Sequence, residues 1–166
     1  MKVFIAFVAG LIAAPVLLAL AAMAGLVPSV ATSDPPKWET ALGFRALDGA
    51  LEKRSAGLSN PIASTDKAAV AAGGDIYGDS CESCHGDAKA PSRWGSRGFY
   101  PRAPQFWQGK SDVTPEEAYA AIHDGIRYTG MGAWHDMMTD QEIWQVANFV
   151  SRINKGVPKE QPAAQK

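Results

Sequence analysis

Two cysteines flank Glu82 and Ser83 and a histidine follows at once, giving Cys81-Glu82-Ser83-Cys84-His85. In types and spacing these residues are the part of the chain best equipped for chemistry. C-x-x-C-H is the attachment signature of a c-type haem. Each thiol can add across one vinyl group of the porphyrin, so the ring becomes tied to a single helical turn. The imidazole that follows then projects at the iron as its proximal ligand. Taken alone, the C-x-x-C pair also fits a thioredoxin-type dithiol or half of a zinc site. The dithiol wants a βαβ pattern, and the sequence shows none. Zinc usually takes about four ligands, and the chain has no third cysteine. One haem c, bonded through Cys81 and Cys84 with His85 on the iron, is the expected cofactor.

A low-spin electron carrier keeps both axial positions of its iron filled, so that electron transfer needs little ligand rearrangement. A thioether suits Fe(II) and raises the potential relative to a second histidine. Met131 lies between Gly130 and Gly132, glycines that allow tight turns aiming one side chain inward. It is the expected distal ligand. Met137 and Met138, just before a capped helix, read as plastic core filling. His123 and His135 read as surface or core residues.

The elements that must hold these ligands read as helices throughout. A chain of 166 residues with a formal charge of −1 suits one compact domain with some chain to spare, and gives no signal for nucleic acid. Both cysteines are spent in one motif, so no disulfide framework is available. From Val3 to Val30 no side chain ionises. Residues 3–27 are long enough for a membrane span, with Lys2 cytoplasmic and the rest exported. A cleaved signal peptide ending at Ala22-Met23-Ala24 is the alternative. Residues 1–30 therefore read as an anchor. Residues 31–63 read as a linker carrying a short helix from Trp38 to Arg54, either a spacer packed on the domain or a docking helix. The haem domain is expected at 64–156 and a polar tail at 157–166.

Within 64–156 the first helix runs from Asp66 into the haem turn, with Gly73, Tyr77 and Cys81 on one face. The adjacent glycines Gly73-Gly74 cost about 1 kcal/mol each in a helix interior, which suggests a close pass by another helix. Thr114-Pro115-Glu116-Glu117 is a capping box opening a helix that stops at Gly125. Thr139-Asp140-Gln141-Glu142 opens the last helix, which presents Ile143, Val146, Ala147 and Val150 as an apolar stripe and runs to about Asn154.

This order of helix, C-x-x-C-H, irregular loop, helix, methionine loop and aromatic-bearing last helix resembles a class I cytochrome c. Bacterial membrane-anchored single-haem members are the most similar, over about Asp66 to Asn154. The resemblance implies an all-α cytochrome c fold whose first and last helices cross, here with Gly73 meeting Phe149 beside Tyr77 and Val146. Gly125-Ile126 and Thr129-Gly130-Met131-Gly132-Ala133-Trp134 match the family's methionine loop, with Met131 as distal ligand. The family's usual proline there is missing, replaced by Ala133. Pro104 resembles the proline whose carbonyl takes the proximal imidazole's hydrogen bond and fixes the ring of His85.

Charge is divided unevenly about the haem. Lys89, Arg93, Arg97, Arg102 and Lys110 form a stretch without acids, whereas Asp112 to Glu142 holds seven acids against Arg127 alone. The basic groups read as a solvated face, as contacts to haem propionates, or as a dock for an acidic electron partner. Arg102, Trp94 and Trp107 are the residues expected near the propionates. Nothing resembles a substrate pocket or a nucleophile–base pair. The expected function is one-electron transfer between redox proteins, in the periplasm on the outer face of a bacterial cytoplasmic membrane, with no small-molecule substrate. The alternatives are a dedicated cytochrome subunit of a membrane oxidase or dehydrogenase, and a CO or NO sensor.

Overall fold

The computed structural model describes residues 2–27, 29–63, 65–109 and 112–153, and these are all-helical with no strand. The chain divides into two compact units, 1–30 and 31–166. The first is helix α1 (Lys2–Met23), with Pro15 inside it. Leu11, Leu17 and Leu18 stand bare along it. Among the described residues no helix is long and apolar enough to cross a membrane, so the span expected at 3–27 is not shown.

The second unit begins at Ala31, so packing starts well before the expected boundary at 64, a position outside the described residues. Helix α2 (Lys37–Ser55) lies against α5 (Pro115–Asp124). Arg54 fixes it there. Its guanidinium donates to the Ala120 carbonyl at 2.5 Å and the Gly125 carbonyl at 3.4 Å, and it pairs with Asp124 at 3.4 Å. A cation at the last carbonyls of a helix satisfies their lone pairs and complements the dipole. The spacer reading of this helix is the one the packing supports.

A second tie lies just beyond it. Asn60 and Asn148 exchange amide hydrogen bonds of 2.9 and 3.0 Å, and Asn148 is buried in α6 (Asp140–Ile153). Removing one partner leaves the other amide short of a bond. Asn148→Ala is expected to cost about 1–3 kcal/mol, read as a lower urea midpoint. Asn60→Ala in the same background should add far less than it costs alone. Full additivity of the two losses would contradict the pairing.

The core forms where α3 (Lys67–Ser80) meets α6. Asp66 caps α3 by accepting from Ala69 N–H at 2.9 Å. The apolar stripe of α6 supplies Ile143, Val146, Ala147 and Val150, and Tyr77, Ala118 and Ile122 complete the cluster. A Cβ on Gly73 would run into the Gln145 carbonyl, so the backbones of α3 and α6 touch there. Phe149 instead faces Gly74, whose added Cβ would sit 3.0 Å from the ring. The expected pairing of Gly73 with Phe149 is thus shifted by one residue. Val146 contributes its backbone at the crossing, and the larger ring packs over the next glycine. Met138 packs on the core as expected, but Met137 is 67% exposed because its side chain faces away from it.

Both capping boxes form. Thr114 and Glu117 bond reciprocally at the start of α5, as do Thr139 and Glu142 at the start of α6. The Thr139 backbone N–H, then its hydroxyl, holds Glu142 below the usual carboxylate range. A depressed folded value contributes stability above the unfolded pKa, and that contribution is lost as pH falls through the folded one. Thr139→Ala keeps the N–H and removes the hydroxyl, so it should move Glu142 partway back towards the ordinary range. Carboxyl NMR titration reads the change, and an unmoved midpoint would contradict the hydroxyl's share.

Candidate haem site

The expected continuous helix through the cysteines is broken. α3 ends at Ser80, Cys81 serves as its C-cap, and a single turn, α4 (Glu82–His85), follows. Gly86 closes that turn with φ of 75°, a left-handed conformation that glycine adopts without strain. A side chain there would also strike the Ala90 carbonyl, Gln105 Oε1 and Ser92 N. Tyr77, 2% exposed, donates its hydroxyl to the Gly86 carbonyl at 2.7 Å and so locks the turn to the core. Burial raises its phenol pKa. Cys81 and Cys84 are half-buried and not bonded to each other. Burial, then the neighbouring Cys84, pushes the Cys81 thiol up to about 11.

His85 Nδ1 lies 2.8 Å from the Pro104 carbonyl. A carbonyl only accepts, so Nδ1 carries the proton and Nε2 keeps a lone pair for a metal. The ring also stacks on Phe106 with centroids 4.7 Å apart and planes 17° apart. Burial lowers the imidazole pKa, with the Pro104 bond opposing it. A neutral, oriented imidazole is what iron ligation requires.

Met131 sits at the end of a tightly tied loop. Ile126 N–H donates to the Met131 carbonyl at 3.0 Å, and Met131 N–H donates to Thr129 Oγ1 at 3.0 Å. The Thr129 hydroxyl in turn donates to the Ile126 carbonyl at 2.7 Å. Gly125, with φ of 68°, brings the loop's return strand so close that a Cβ would meet Ala133 N at 2.7 Å. Tyr128 holds a φ of 63°, a left-handed conformation costly for a bulky residue. The neck is closed where Trp134 N–H reaches the Ile122 carbonyl at 3.1 Å and His135 Nδ1 donates to the His123 carbonyl at 2.9 Å. Cys81, Phe106, Trp107 and Met131 all pack against the same core cluster. Cys81, the stacking partner of His85 and the methionine thus border one common core.

The three residues expected near propionates differ in placement. Trp107 is inside, and its buried Nε1 has no acceptor; it lies towards the Tyr77 oxygen without closing a bond. Trp94 is 61% exposed and lies against Phe99. Arg102 is turned to the loop beneath it. One Nη donates to the carbonyls of Ala31, Arg97 and Phe99 at 2.8, 2.6 and 2.7 Å, and the other is 3.4 Å from Asp34. Lys110 lies outside the described residues. Among those described, no group of three or more histidine, cysteine or acidic side chains is placed to hold a metal ion.

Gln105 was not legible as a site residue. In the sequence it is one polar residue in a loop, and only the fold shows its amide bonded on both sides.

Half-buried free thiols, a neutral imidazole with Nε2 unbonded, a methionine bordering the same core and an orphaned indole N–H together fit a porphyrin bearing carboxylates. The all-helical fold and this site define a class I c-type cytochrome. Residues 68–150, half of the chain, match the family described as cytochrome C oxidase, cbb3-type, subunit III, and the chain belongs to that family. It therefore carries covalently bound haem c through Cys81 and Cys84. The chain is also similar to a solved protein, cytochrome CL from the marine methylotrophic bacterium Methylophaga aminisulfidivorans MPT. Identity is 21% over 52% of this chain and 54% of that one, with a TM-score of 0.40, so the chain spans about half that protein's length. No curated protein matches it.

Proposed function

We propose that this electron-carrying cytochrome works as a one-electron relay between redox proteins, with His85 and Met131 as its axial ligands and no catalysis of its own. The observation that carries this reading is the His85 Nδ1 bond to Pro104, which leaves Nε2 for iron, while a tied loop holds Met131 against the core that Cys81 and Phe106 also border. The haem, when bound, supplies the reversible Fe(III)/Fe(II) couple. The chain's own residues do the rest. Pro104 and Phe106 hold the imidazole in one tautomer and one plane. Thr129 and Gly125 hold the methionine loop closed, which would keep the Met131 sulfur within reach of the iron. Trp107 offers its indole N–H to a propionate.

Position follows from chemistry outside the described site. Thioether attachment to a C-x-x-C-H motif suits an exported protein, and the apolar α1 serves as the export segment, retained at the outer face of the bacterial cytoplasmic membrane or cleaved. N-terminal sequencing of the mature protein distinguishes these outcomes.

The family description favours a second reading, in which the chain is the cytochrome subunit of a terminal oxidase. Co-purification with a large complex from detergent-solubilised membranes supports that role, and a free monomer supports a mobile carrier. The optical spectrum of the reduced protein tests the relay itself. Bands unchanged under CO are the expected result. A CO-shifted spectrum would instead support a gas sensor with a displaceable Met131.

A further inference from the structure

Beside the proximal histidine, one side chain makes more contacts to the haem-attachment segment than its sequence suggests. Gln105 Nε2 donates to the Cys84 carbonyl at 3.0 Å and to the Ala103 carbonyl at 2.8 Å. Its Oε1 accepts from Ser92 N–H at 2.7 Å. Three polar positions of one amide are thereby bonded to three separate backbone stretches. One is the turn bearing Cys84 and His85, another is the loop at Ser92, and the third is the residue preceding Pro104. Ser92 extends the clamp, since its hydroxyl donates to the Ser83 carbonyl at 2.5 Å and accepts from Gly95 N–H at 2.9 Å. Gly95 packs directly on the Cys84 backbone, leaving no room for a side chain.

The consequence falls on Pro104. Its carbonyl orients His85, yet proline has no N–H with which to anchor itself. The residues on either side of it are held instead, Ala103 by the amide of Gln105 and by its own N–H on the Gly95 carbonyl at 3.0 Å. Because the same amide also grips Cys84, the distance between the histidine's turn and the proline's loop is fixed by one side chain.

We infer that Gln105 is a positioning residue for the haem iron: by clamping Cys84 to Ala103 it sets the His85 Nδ1–H to Pro104 hydrogen bond and, through the imidazole's basicity, the reduction potential. Outer partners of metal-bound histidines fix ring orientation and raise ligand basicity. A more basic imidazole favours Fe(III), so loosening the clamp raises the potential. The inference rests on the proposed ligation by His85.

The test uses the full-length holoprotein with Gln105→Met, which keeps the side chain's bulk and removes all of its hydrogen bonds. Gln105→Leu likewise removes every hydrogen bond of the amide without adding a charge. Both are expected to raise the ratio of reduced to oxidised haem at fixed ambient potential several-fold, where tenfold corresponds to about 59 mV for one electron. Gln108→Ala removes a bond to the Asp87 carbonyl elsewhere in the same loops and is expected to leave the potential in place. An unshifted potential in Gln105→Met with haem and Met ligation spectroscopically intact would overturn the inference. If neither Gln105 variant assembles, proton exchange at His85 Nδ1 in the wild-type holoprotein decides. Slow exchange is expected of a clamped bond, and exchange at the rate of an exposed imidazole would overturn it. A wild-type spectrum without histidine-ligated haem would refute the parent reading instead, and is recognised before any variant is compared.

Discussion

Met131→Ala is expected to lower the midpoint potential by on the order of 0.2 V, part of the roughly 0.8 V range that axial ligands command. It is also expected to open the reduced iron to CO. On the proposed ligation the thioether favours Fe(II), so removing it destabilises the reduced form. Alanine fits the loop because Met131 is held by backbone bonds, its N–H to Thr129 Oγ1 and its carbonyl to Ile126 N–H. The substitution therefore tests the sulfur rather than the loop. Met131→His lowers the potential as well but keeps the axial position filled, so CO should still fail to bind. Redox titration and reduced-plus-CO spectra separate the two. A potential unchanged in Met131→Ala would move the ligand elsewhere, with Met138, the other methionine packed on the core, as the first residue to examine.

Gly73→Ala should be strongly destabilising for the size of the change, a single methyl. Alanine favours a helix over glycine by about 1 kcal/mol, but here the new Cβ lands on the Gln145 carbonyl and within 3.0 Å of Val146 N. Both obstacles are backbone in the middle of α6, so α3 and α6 must separate to admit it. Overpacking of this kind costs about 1–3 kcal/mol and occasionally more, and the upper end applies because no side chain can turn aside. At about 4 °C per kcal/mol, between the values for smaller and larger domains, the melting temperature of the holoprotein should fall by roughly 10 °C. Gly74→Ala is the control. Its Cβ meets only the Phe149 ring, which can tilt away, so its cost should be small or offset by the gain in helix propensity. Equal losses at the two glycines would contradict the crossing as described.

What the sequence made legible was local. The two capping boxes are complete within four residues each, and they mark the starts of α5 and α6 correctly. C-x-x-C-H carries its chemistry in its own spacing. The Gly73-Gly74 pair announced a helix crossing, and Gly73 does stand at it, but Phe149 lies over Gly74 because a hydrophobic period does not resolve neighbouring positions. The break at Cys81 was hidden for a related reason, since the residues favour helix on both sides of it. The long-range ties had no local sign. Asn60 and Asn148 lie 88 residues apart, and Arg54 reaches a carbonyl 66 residues away. Each of these side chains is unremarkable in its own stretch. Arg102 shows the opposite failure, in which charge alone suggested a propionate contact and the fold spent much of the guanidinium on nearby carbonyls.

Mass spectrometry of the proteolytic peptide spanning Cys81 to His85, taken from protein exported by a host that matures c-type cytochromes, bears most directly on the whole account. The expected mass is that of the peptide plus one haem, with neither thiol open to alkylation. A peptide whose two thiols alkylate freely, or pair with each other, would contradict it.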